Sequence, residues 1–454
     1  MPVAERASHL RRKSEPAVKT ASSKLITLNI EDFSCIRAAK FELAPVTVLI
    51  GPQGSGKSLT IKLFYFFIDI FSRQIVSSER DLDIDEFKRE TVRLFKTWFP
   101  PGAWGKRRFN ITFAAGPYQF RILRRMSKGN VADDVTVTFS DRFKSQYDSL
   151  LESYRKNRDQ ITDRSELLHR STEASWHIRG RFHAALTSEL GPLFIESQTF
   201  VPAGRAFFTS IGRLVAAIEQ GSSLDPVTIR FAKLFANLRD FASKGALFGR
   251  SSSQDNAQRR KMMIDLFGGE IKFERDLEFV ETQDGRRVPF TALSSGQQEL
   301  LPMWLLIDFY AGRQPERDRS SDLFYIEEPE AHLFPEAQSL LVDFLIGHLV
   351  SKRARRNLII TTHSPYILAK LNNFLKAGSL GRTRRNAEAV DEIVSREYWL
   401  TPKRLKAYSI HDGLMNDLMD EEGLIDARYI DEVSNSVGET FSKLLDIEFP
   451  EVGS

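Results

Sequence analysis

The sequence predicts an α/β fold with a mixed central sheet, an antiparallel β-subdomain and an inserted helical arm. Short apolar runs that end in glycine, carboxylate or histidine residues are typical of buried strands in such folds. Residues 109–125 alternate in polarity around a Gly-Pro turn, which predicts an antiparallel hairpin. Residues 141–190 are polar and helix-prone without a sustained heptad repeat, which predicts an inserted helical arm and no long coiled coil.

Composition limits the compartment and the partners. The chain has 454 residues, a formal net charge of +4, and 42% hydrophobic residues. Its single cysteine, Cys35, excludes an intrachain disulfide framework and a cysteine zinc cluster, so we expect a cytoplasmic protein. No apolar run approaches about eighteen residues, so no membrane partner is expected. Residues 1–24 lack the apolar centre of a secretory signal and are predicted to form a disordered basic tail.

Three strands are predicted in residues 25–50, and the third runs into 48-VLIGPQGSGKSLT-60. The spacing fits G-x-x-x-x-G-K-[ST], a phosphate-binding loop between a strand and a helix. Glycines allow backbone N–H groups to turn toward an anion, and the helix N-terminus adds partial positive charge. Lys57 is expected to contact the terminal phosphates, and the Ser58 hydroxyl to bind Mg²⁺. The predicted nucleotide-binding residues are Gly51, Gln53, Gly54, Ser55, Gly56, Lys57, Ser58 and Leu59.

The elements between this loop and the later motifs are predicted from periodicity and turn residues. They are an apolar helix at 59–70, an amphipathic helix at 77–99, the hairpin at 109–125, a strand at 135–139, the arm at 141–190, a buried segment at 193–207, helices near 208–219 and 226–243, a mobile Gly/Ser-rich loop at 244–261, and a hairpin at 269–290 that turns at 284–285. The predicted domains are a first lobe with the phosphate loop at 25–140, a helical insertion at 141–260, a second part of the lobe with the later motifs at 261–375 and a C-terminal α/β extension at 376–454.

The stretch 293-LSSGQQELLPMWLLIDF-309 offers a second place for an anion. Hydroxyls and unpaired backbone N–H groups at the start of a helix attract negative charge. The predicted binding residues are Ser294, Ser295, Gly296 and Gln297. Taken alone, the same residues are more typical of an ordinary helix N-cap than of an anion site.

Two further strands end in residues that could carry chemistry. The stretch 322-DLFYIEEPEAHLFPEA-337 predicts a buried strand that ends in two carboxylates. Glu327 is expected to bind Mg²⁺ and Glu328 to polarise the attacking water, whereas a Glu-Glu pair elsewhere is usually a solvated surface. The stretch 357-NLIITTHSPYIL-368 predicts a parallel strand that ends at His363, a candidate γ-phosphate sensor.

The order GPQGSGKS, LSSGQ, LFYIEEPEAHL and ITTHSP resembles the ABC-class ATPases, and in particular their soluble SMC-like and OLD-like branch of the AAA15 type. The resemblance implies ATP and Mg²⁺ as cofactors, Glu327 as the Walker B carboxylate, Glu328 as the catalytic base and His363 as the switch histidine. It places Ser294 and Gly296 in the signature. The segment 200-FVPAGR-205 resembles a motif of OLD-family ATPases, and Gln198 is then expected to be the Q-loop metal ligand.

The resemblance also implies an assembly. In this class the signature of one copy closes over nucleotide bound by another, so we expect a homo-oligomer built on ATP sandwiches. OLD-family proteins carry a Toprim nuclease after the ATPase, whereas the residues after His363 are too few for one. The chain therefore resembles the ATPase subunit of PARIS-type bacterial anti-phage systems, which implies a separate Toprim-like effector and a phage-protein trigger.

The sequence departs from the ABC pattern at three positions. Ser295 stands where a glycine is usual, Glu327 where an aspartate is usual, and Pro302 lies within the signature helix, where it is expected to reshape the first turns.

Two alternatives remain. Basic clusters at 106–108, 124–128, 352–356 and 382–385 could line a DNA channel in an SMC- or recombination-like ATPase, although such clusters are usually solvated surface. A transporter's nucleotide-binding domain is disfavoured by the long insertion.

Overall fold

The computed structural model of the chain describes residues 23–127, 129–159, 167–211, 225–244, 253–274, 277–311, 321–350, 356–426 and 442. The strands are β1 (Ser23–Phe33), β2 (Ile36–Glu42), β3 (Val46–Ile50), β4 (Asn110–Gly116), β5 (Tyr118–Ser127), β6 (Asn130–Phe139), β7 (Ile195–Val201), β8 (Gly269–Glu274), β9 (Leu277–Thr282), β10 (Arg287–Pro289), β11 (Ser321–Glu327), β12 (Arg356–Thr362), β13 (Leu405–His411) and β14 (Leu414–Asp417). The helices are α1 (Lys57–Glu79), α2 (Ile84–Trp98), α3 (Asp141–Asp159), α4 (Leu167–Leu190), α5 (Ala206–Ile211), α6 (Pro226–Ser243), α7 (Ser253–Phe267), α8 (Ser295–Ala311), α9 (Pro335–Leu349), α10 (Pro365–Leu380) and α11 (Arg384–Ile393).

A large mixed sheet organises the described residues. Eleven strands follow the order β6-β5-β4-β1-β2-β14-β13-β3-β12-β11-β7, and β8 to β10 form a separate three-stranded sheet. The strands β13, β3, β12, β11 and β7 run parallel to one another. The strands β6, β5, β4, β1 and β2 pair antiparallel. The predicted mixed sheet with an antiparallel β-subdomain is confirmed.

The parallel strands separate two hydrophobic cores. Because successive side chains of a strand point to opposite faces, Leu49 of β3 lies in one core and Val48 in the other. The first core contains the buried face of α1 and is rich in aromatic rings, among them Phe64, Phe67 and Phe113. The second core contains the body of α8 and is mainly aliphatic. The phosphate-loop helix and the signature helix are therefore embedded on opposite faces of the sheet.

The predicted helical arm packs on the first core. Phe143 and Tyr147 of α3 and Leu186 of α4 are buried there. Glu79, at the end of α1, accepts hydrogen bonds from Nη2 of Arg179 at 2.8 Å through both carboxylate oxygens. These contacts fix α3 and α4 against the helix that begins at the phosphate loop.

Helix α1 is longer than the predicted 59–70. Its polar second half has buried side chains, including Gln74, Ser77 and Ser78, which lie against neighbouring elements instead of solvent. The next helix begins only after Asp83, whose carboxylate accepts the backbone N–H groups of residues 85 and 86. The two helices are therefore separated at residues 80–83. The sequence had suggested a separation at residues 71–76.

Two other predictions change in detail. The hairpin predicted at 269–290 is a three-stranded sheet, in which the Asp284-Gly285 turn joins β9 to β10 and β8 is added. The second half of the loop predicted at 244–261 belongs to α7, because Met262, Met263 and Phe267 are buried on one side of it. Residues 245–252 and residues 212–219 of the predicted helix near 208–219 lie outside the described residues.

The last part of the chain contributes to the main sheet. Strand β13 lies between β14 and β3 and runs parallel to β3, so residues near 405–417 complete the sheet beside the phosphate loop. The acidic residues 420–422, which follow β14, are exposed. The helices in the described ranges lack the combination of length and apolar character needed to cross a bilayer.

Candidate functional site

The phosphate-binding loop connects β3 to α1 and has the backbone of an anion site. Gly54 and Gly56 have φ angles of 72° and 108°, in the left-handed region that favours glycine. Gly56 caps α1 without a side-chain hydrogen bond to the first turn. The N–H groups of the loop and first turn are therefore available to a ligand, and the helix dipole adds positive potential at the same point.

The loop is held from behind by the C-terminal strand β13. A Cβ atom on Gly51 would lie 2.3 Å from the backbone oxygen of Ile410, and one on Gly56 would lie 2.8 Å from Cγ1 of Ile36. Glycine is thus required at both positions by close approach as well as by conformation. The exposed residues of the loop are Pro52, Gln53, Gly54 and Ser58.

Lys57 is folded back over the loop. Its Nζ donates to the carbonyl oxygens of Gly51 at 2.7 Å and Pro52 at 2.8 Å. Burial lowers the pKa of Lys57, and the negative charges of nearby Glu328, Glu330 and Glu327 oppose that shift. The lysine therefore lies within electrostatic reach of the carboxylates at the ends of the parallel strands.

Glu327 and Glu328 lie at the carboxyl end of β11, as predicted. Glu327 is buried, and its Oε2 accepts the backbone N–H of Ala203 at 3.2 Å. Its Oε1 is buried without a hydrogen-bond partner. An unsatisfied buried carboxylate oxygen is unfavourable unless a cation or donor binds it.

These residues fit a nucleotide-bound Mg²⁺. No group of three or more His, Cys, Asp or Glu side chains with metal-ligand geometry occurs among the residues that the structure describes. Mg²⁺ is commonly held by one or two protein oxygens together with substrate phosphates and water. Ser58 and Glu327 are suited to that role, since Ser58 is exposed in the first turn of α1 and Glu327 has the free oxygen.

Glu328 and His363 are brought together by the parallel pairing of β11 with β12. The His363 Nε2 lies 3.2 Å from the Glu328 Oε1. Glu328 has a φ of 42°, which is unusual for a residue with a side chain, and its N–H donates to the Thr361 carbonyl at 2.9 Å. The pair is partly exposed, so a water or phosphate can reach it.

A third carboxylate, missed by sequence reasoning, orders the loop that carries His363. Glu330 Oε1 accepts the Thr362 hydroxyl and the His363 backbone N–H, both at 2.7 Å. Its Oε2 is buried without a partner. The repeated glutamate in EEPE was a usable signal, because a carboxylate directly after a strand-end pair lies at the same edge of the sheet.

The signature residues lie at the exposed start of α8. Ser294 and Gln297 form a reciprocal cap, in which the Gln297 N–H donates to the Ser294 hydroxyl at 3.3 Å and the Ser294 N–H donates to the Gln297 Oε1 at 3.1 Å. Ser295 is exposed beside them. A Cβ atom on Gly296 would lie 2.6 Å from the backbone oxygen of His332, so the helix start packs closely on the turn after β11. Helix α8 continues through Pro302 to Ala311.

A buried arginine, also missed by sequence reasoning, lies between α8 and the end of β11. Arg205 has no exposed side-chain area and contacts Glu299 of α8 and the carbonyls of Glu327 and Glu328. In the sequence, the motif FVPAGR indicates a family resemblance but no role for its arginine. Its last residue is the one that reaches the site.

The structure does not bring Gln198 to this site. Gln198 lies within β7 opposite Leu323, four residues before Glu327 on the neighbouring strand. Its Nε2 donates to the Tyr65 carbonyl at 3.3 Å, and its Oε1 accepts the Tyr325 hydroxyl at 2.7 Å. Because the amide is used within the fold, the expected metal-ligand role of Gln198 is not supported.

Residues 46–369 match the protein-family model described as "AAA domain, putative AbiEii toxin, Type IV TA system". The match spans most of the chain and contains the phosphate loop, α8, β11 and β12. The chain therefore belongs to this AAA-domain family. No protein of curated function matches the sequence.

Solved structures similar to the chain include two SMC heads. The SMC head domain from Thermotoga maritima is 12% identical, with a TM-score of 0.34, 87% of this chain and 97% of that chain covered. An SmcHead bound to the C-winged helix domain of ScpA is 13% identical, with a TM-score of 0.37 and the same coverage. Scores of this size do not establish a shared topology.

Proposed function

We propose that the chain is a cytoplasmic ATPase that binds ATP with Mg²⁺, forms nucleotide-sandwich oligomers and controls a separate effector in bacterial anti-phage defence. The main support for this proposal is that the phosphate loop, Glu327, Glu328 and His363 meet at one edge of the parallel strands. Lys57 and the loop N–H groups would hold the phosphates. Ser58 and Glu327 would hold Mg²⁺, which neutralises phosphate charge when bound.

The arrangement supports hydrolysis by positioning of water. Glu328 is within hydrogen-bond reach of His363, and its carboxylate is only partly buried. A carboxylate at this position can accept a proton from an attacking water, and His363 can donate to the terminal phosphate. Glu330 would keep His363 in place through its backbone N–H.

The proposed oligomer rests on the signature and on exposed aromatic side chains. Ser294 and Ser295 are exposed, and the helix behind them is buried. Phe334, in the turn after β11, is 77% exposed, and Tyr366, three residues after His363, is 51% exposed. Exposed aromatic groups beside an incomplete nucleotide site suit burial against a second copy.

The defence role rests on the family. The family is described by a toxin of a type IV toxin–antitoxin system, which is a system of paired components. In this proposal the chain is a PARIS-type ATPase that is paired with a Toprim-like effector and triggered by a phage protein.

Several members of the basic clusters are paired or buried, which lowers the support for DNA binding, whereas Arg382, Arg384 and Arg385 are exposed. Arg107, Arg124 and Arg125 form ion pairs with Asp32, Asp133 and Asp134. Arg356 is buried, and residues 352–355 lie outside the described residues. Cations that are already paired contribute little to phosphate binding.

Three experiments test the proposal. ATP turnover by the purified chain is measured with and without duplex DNA, and light scattering records its mass with ATP and Mg²⁺. We expect turnover that DNA does not stimulate and a mass increase that depends on ATP. Co-expression with the product of the adjacent gene should yield a complex. Absence of turnover and of any ATP-dependent mass change would refute the ATPase proposal, whereas DNA-stimulated turnover would favour the alternative.

A further inference from the structure

Arg205 joins two parts of the site that are distant along the chain. It follows β7, and its Nη1 donates to the carbonyls of Glu327 at 2.6 Å and Pro202 at 2.9 Å. Its Nη2 donates to the Glu328 carbonyl at 3.1 Å. One side chain thus holds the backbone of both carboxylates proposed for metal binding and catalysis.

The other contacts of Arg205 are with the signature helix. Its backbone N–H donates to the Glu299 Oε2 at 2.8 Å, and its Nε donates to the Glu299 carbonyl at 3.1 Å. Glu299 lies one turn after Ser295 on α8, and only 4% of its side chain is exposed. The pair therefore connects the exposed signature to the end of β11 through buried atoms.

Stability alone is a weak reason for this pair. Removing two charges from water is costly, and apolar residues of similar volume often stabilise a protein as well or better. Glu328 also has a left-handed backbone, an unfavourable conformation for a residue with a side chain, which persists only when its surroundings enforce it. Arg205 holds the carbonyl of that strained residue.

We propose that Arg205 and Glu299 are positioning residues that couple the Glu328 backbone to the orientation of the α8 N-terminus. A change at Glu328 when nucleotide binds would then alter how Ser294 and Ser295 meet a second copy. By linkage, association of the second copy would favour the catalytic position of Glu328 in the same chain. This inference rests on the proposed function and adds an intrachain connection to it.

The test separates ATP binding by one chain from the events after binding. Glu299→Gln and Arg205→Lys are compared with a control, Asp308→Asn. This change alters a different ion pair of α8, between Asp308 and Arg259, which lies outside the contacts of Arg205. For each variant, fluorescent-ATP affinity is measured in dilute protein. ATP-dependent association and kcat are measured at high concentration, and thermal unfolding midpoints report folding.

We expect Glu299→Gln to keep its ATP affinity within about threefold and to lose about tenfold or more in association and in kcat, as a coupling free energy of ordinary size would produce. Asp308→Asn should change neither. If Arg205→Lys does not fold, Glu299→Gln alone decides. Equal losses in Glu299→Gln and Asp308→Asn, or a parallel loss of ATP affinity, would overturn the inference. If the wild-type chain neither hydrolyses ATP nor self-associates in its presence, the result refutes the proposed function itself and not only the coupling inferred here.

Discussion

The two candidate anion sites of the chain are built in opposite ways. The phosphate loop is fixed by packing: Gly51 lies against β13, and α1 is buried in an aromatic core. The signature is fixed only from behind, because the body of α8 is buried while Ser294 and Ser295 face outward. The first site contains a lysine and carboxylates, and the second contains hydroxyl and amide groups without a charged side chain.

This difference indicates that the two sites depend on a ligand to different degrees. A loop with a lysine and free N–H groups can bind phosphates within one chain. Neutral groups at one helix start provide little affinity alone, since a helix terminus contributes roughly 0.3–1 kcal/mol. In the proposed oligomer, the second site therefore depends on phosphates that are held by the phosphate loop of another copy.

The largest effect should come from Glu328→Gln, which separates chemistry from binding. Loss of a general base typically costs about 10²–10⁴-fold in rate. We expect kcat to fall within that range while ATP affinity is kept, so that ATP-bound oligomers accumulate. Steady-state turnover and light scattering measure the two effects. Glu336→Gln, an exposed change in the first turn of α9, is the control, and normal turnover by Glu328→Gln would exclude Glu328 as the base.

Lys57→Ala should weaken ATP binding at the phosphate loop, the site that contains the lysine. A charge-assisted hydrogen bond to phosphate contributes about 1.5–3 kcal/mol, so we expect ATP affinity to fall by about 100-fold. Calorimetric titration measures the affinity. The control is Lys62→Ala, which removes a cation of the same helix that pairs with Asp225 outside the loop. Equal affinities for the two variants would contradict the assigned role of Lys57.

Ser295→Glu should disable only the second candidate anion site, the signature at the start of α8. An acidic residue in the first turn stabilises a helix, so folding should be retained, but its charge would repel a terminal phosphate on a second copy. We expect ATP binding by dilute chain to be unchanged and ATP-dependent association to weaken by at least about tenfold, or 1.4 kcal/mol. Asn386→Glu on α11 is a matched exposed control. Association at the wild-type level would place the signature outside the interface.

The last prediction concerns the stability of the fold beneath the signature and leaves the nucleotide chemistry unchanged. Burial raises the pKa of Asp308 on α8 to about 6, against the opposing charge of Arg259. The folded chain therefore binds more protons than the unfolded chain between about pH 4 and pH 6, and Asp308 makes the free energy of unfolding fall by up to about 3 kcal/mol as pH rises through that window. Asp308→Asn should remove this slope. Thermal unfolding at pH 4.5 and pH 7.5 measures it, and identical slopes in both proteins would contradict the assignment.

The sequence predicted the site residues that share a strand or loop with an obvious motif. The phosphate loop, the strand-end pair Glu327-Glu328 and His363 all reach one sheet edge because parallel strands end together. Arg205 could not be predicted, because its role depends on which helix lies over β7. Gln198 was misplaced for the same reason, since a polar residue within a strand can be used by neighbouring tyrosines. Local patterns predict strand ends, whereas burial of one isolated polar side chain requires the tertiary arrangement.

The position of β13 bears on how the protein is made. The phosphate loop is synthesised long before the strand that lies against Gly51, which includes Ile410. At ordinary translation rates, roughly 20 to 70 s separate the two segments as they emerge from the ribosome. During that interval a nascent chain has its glycine-rich loop without the strand that supports it. We expect truncated products that lack β13 and β14 to bind ATP more weakly than the full chain, even though every motif is present.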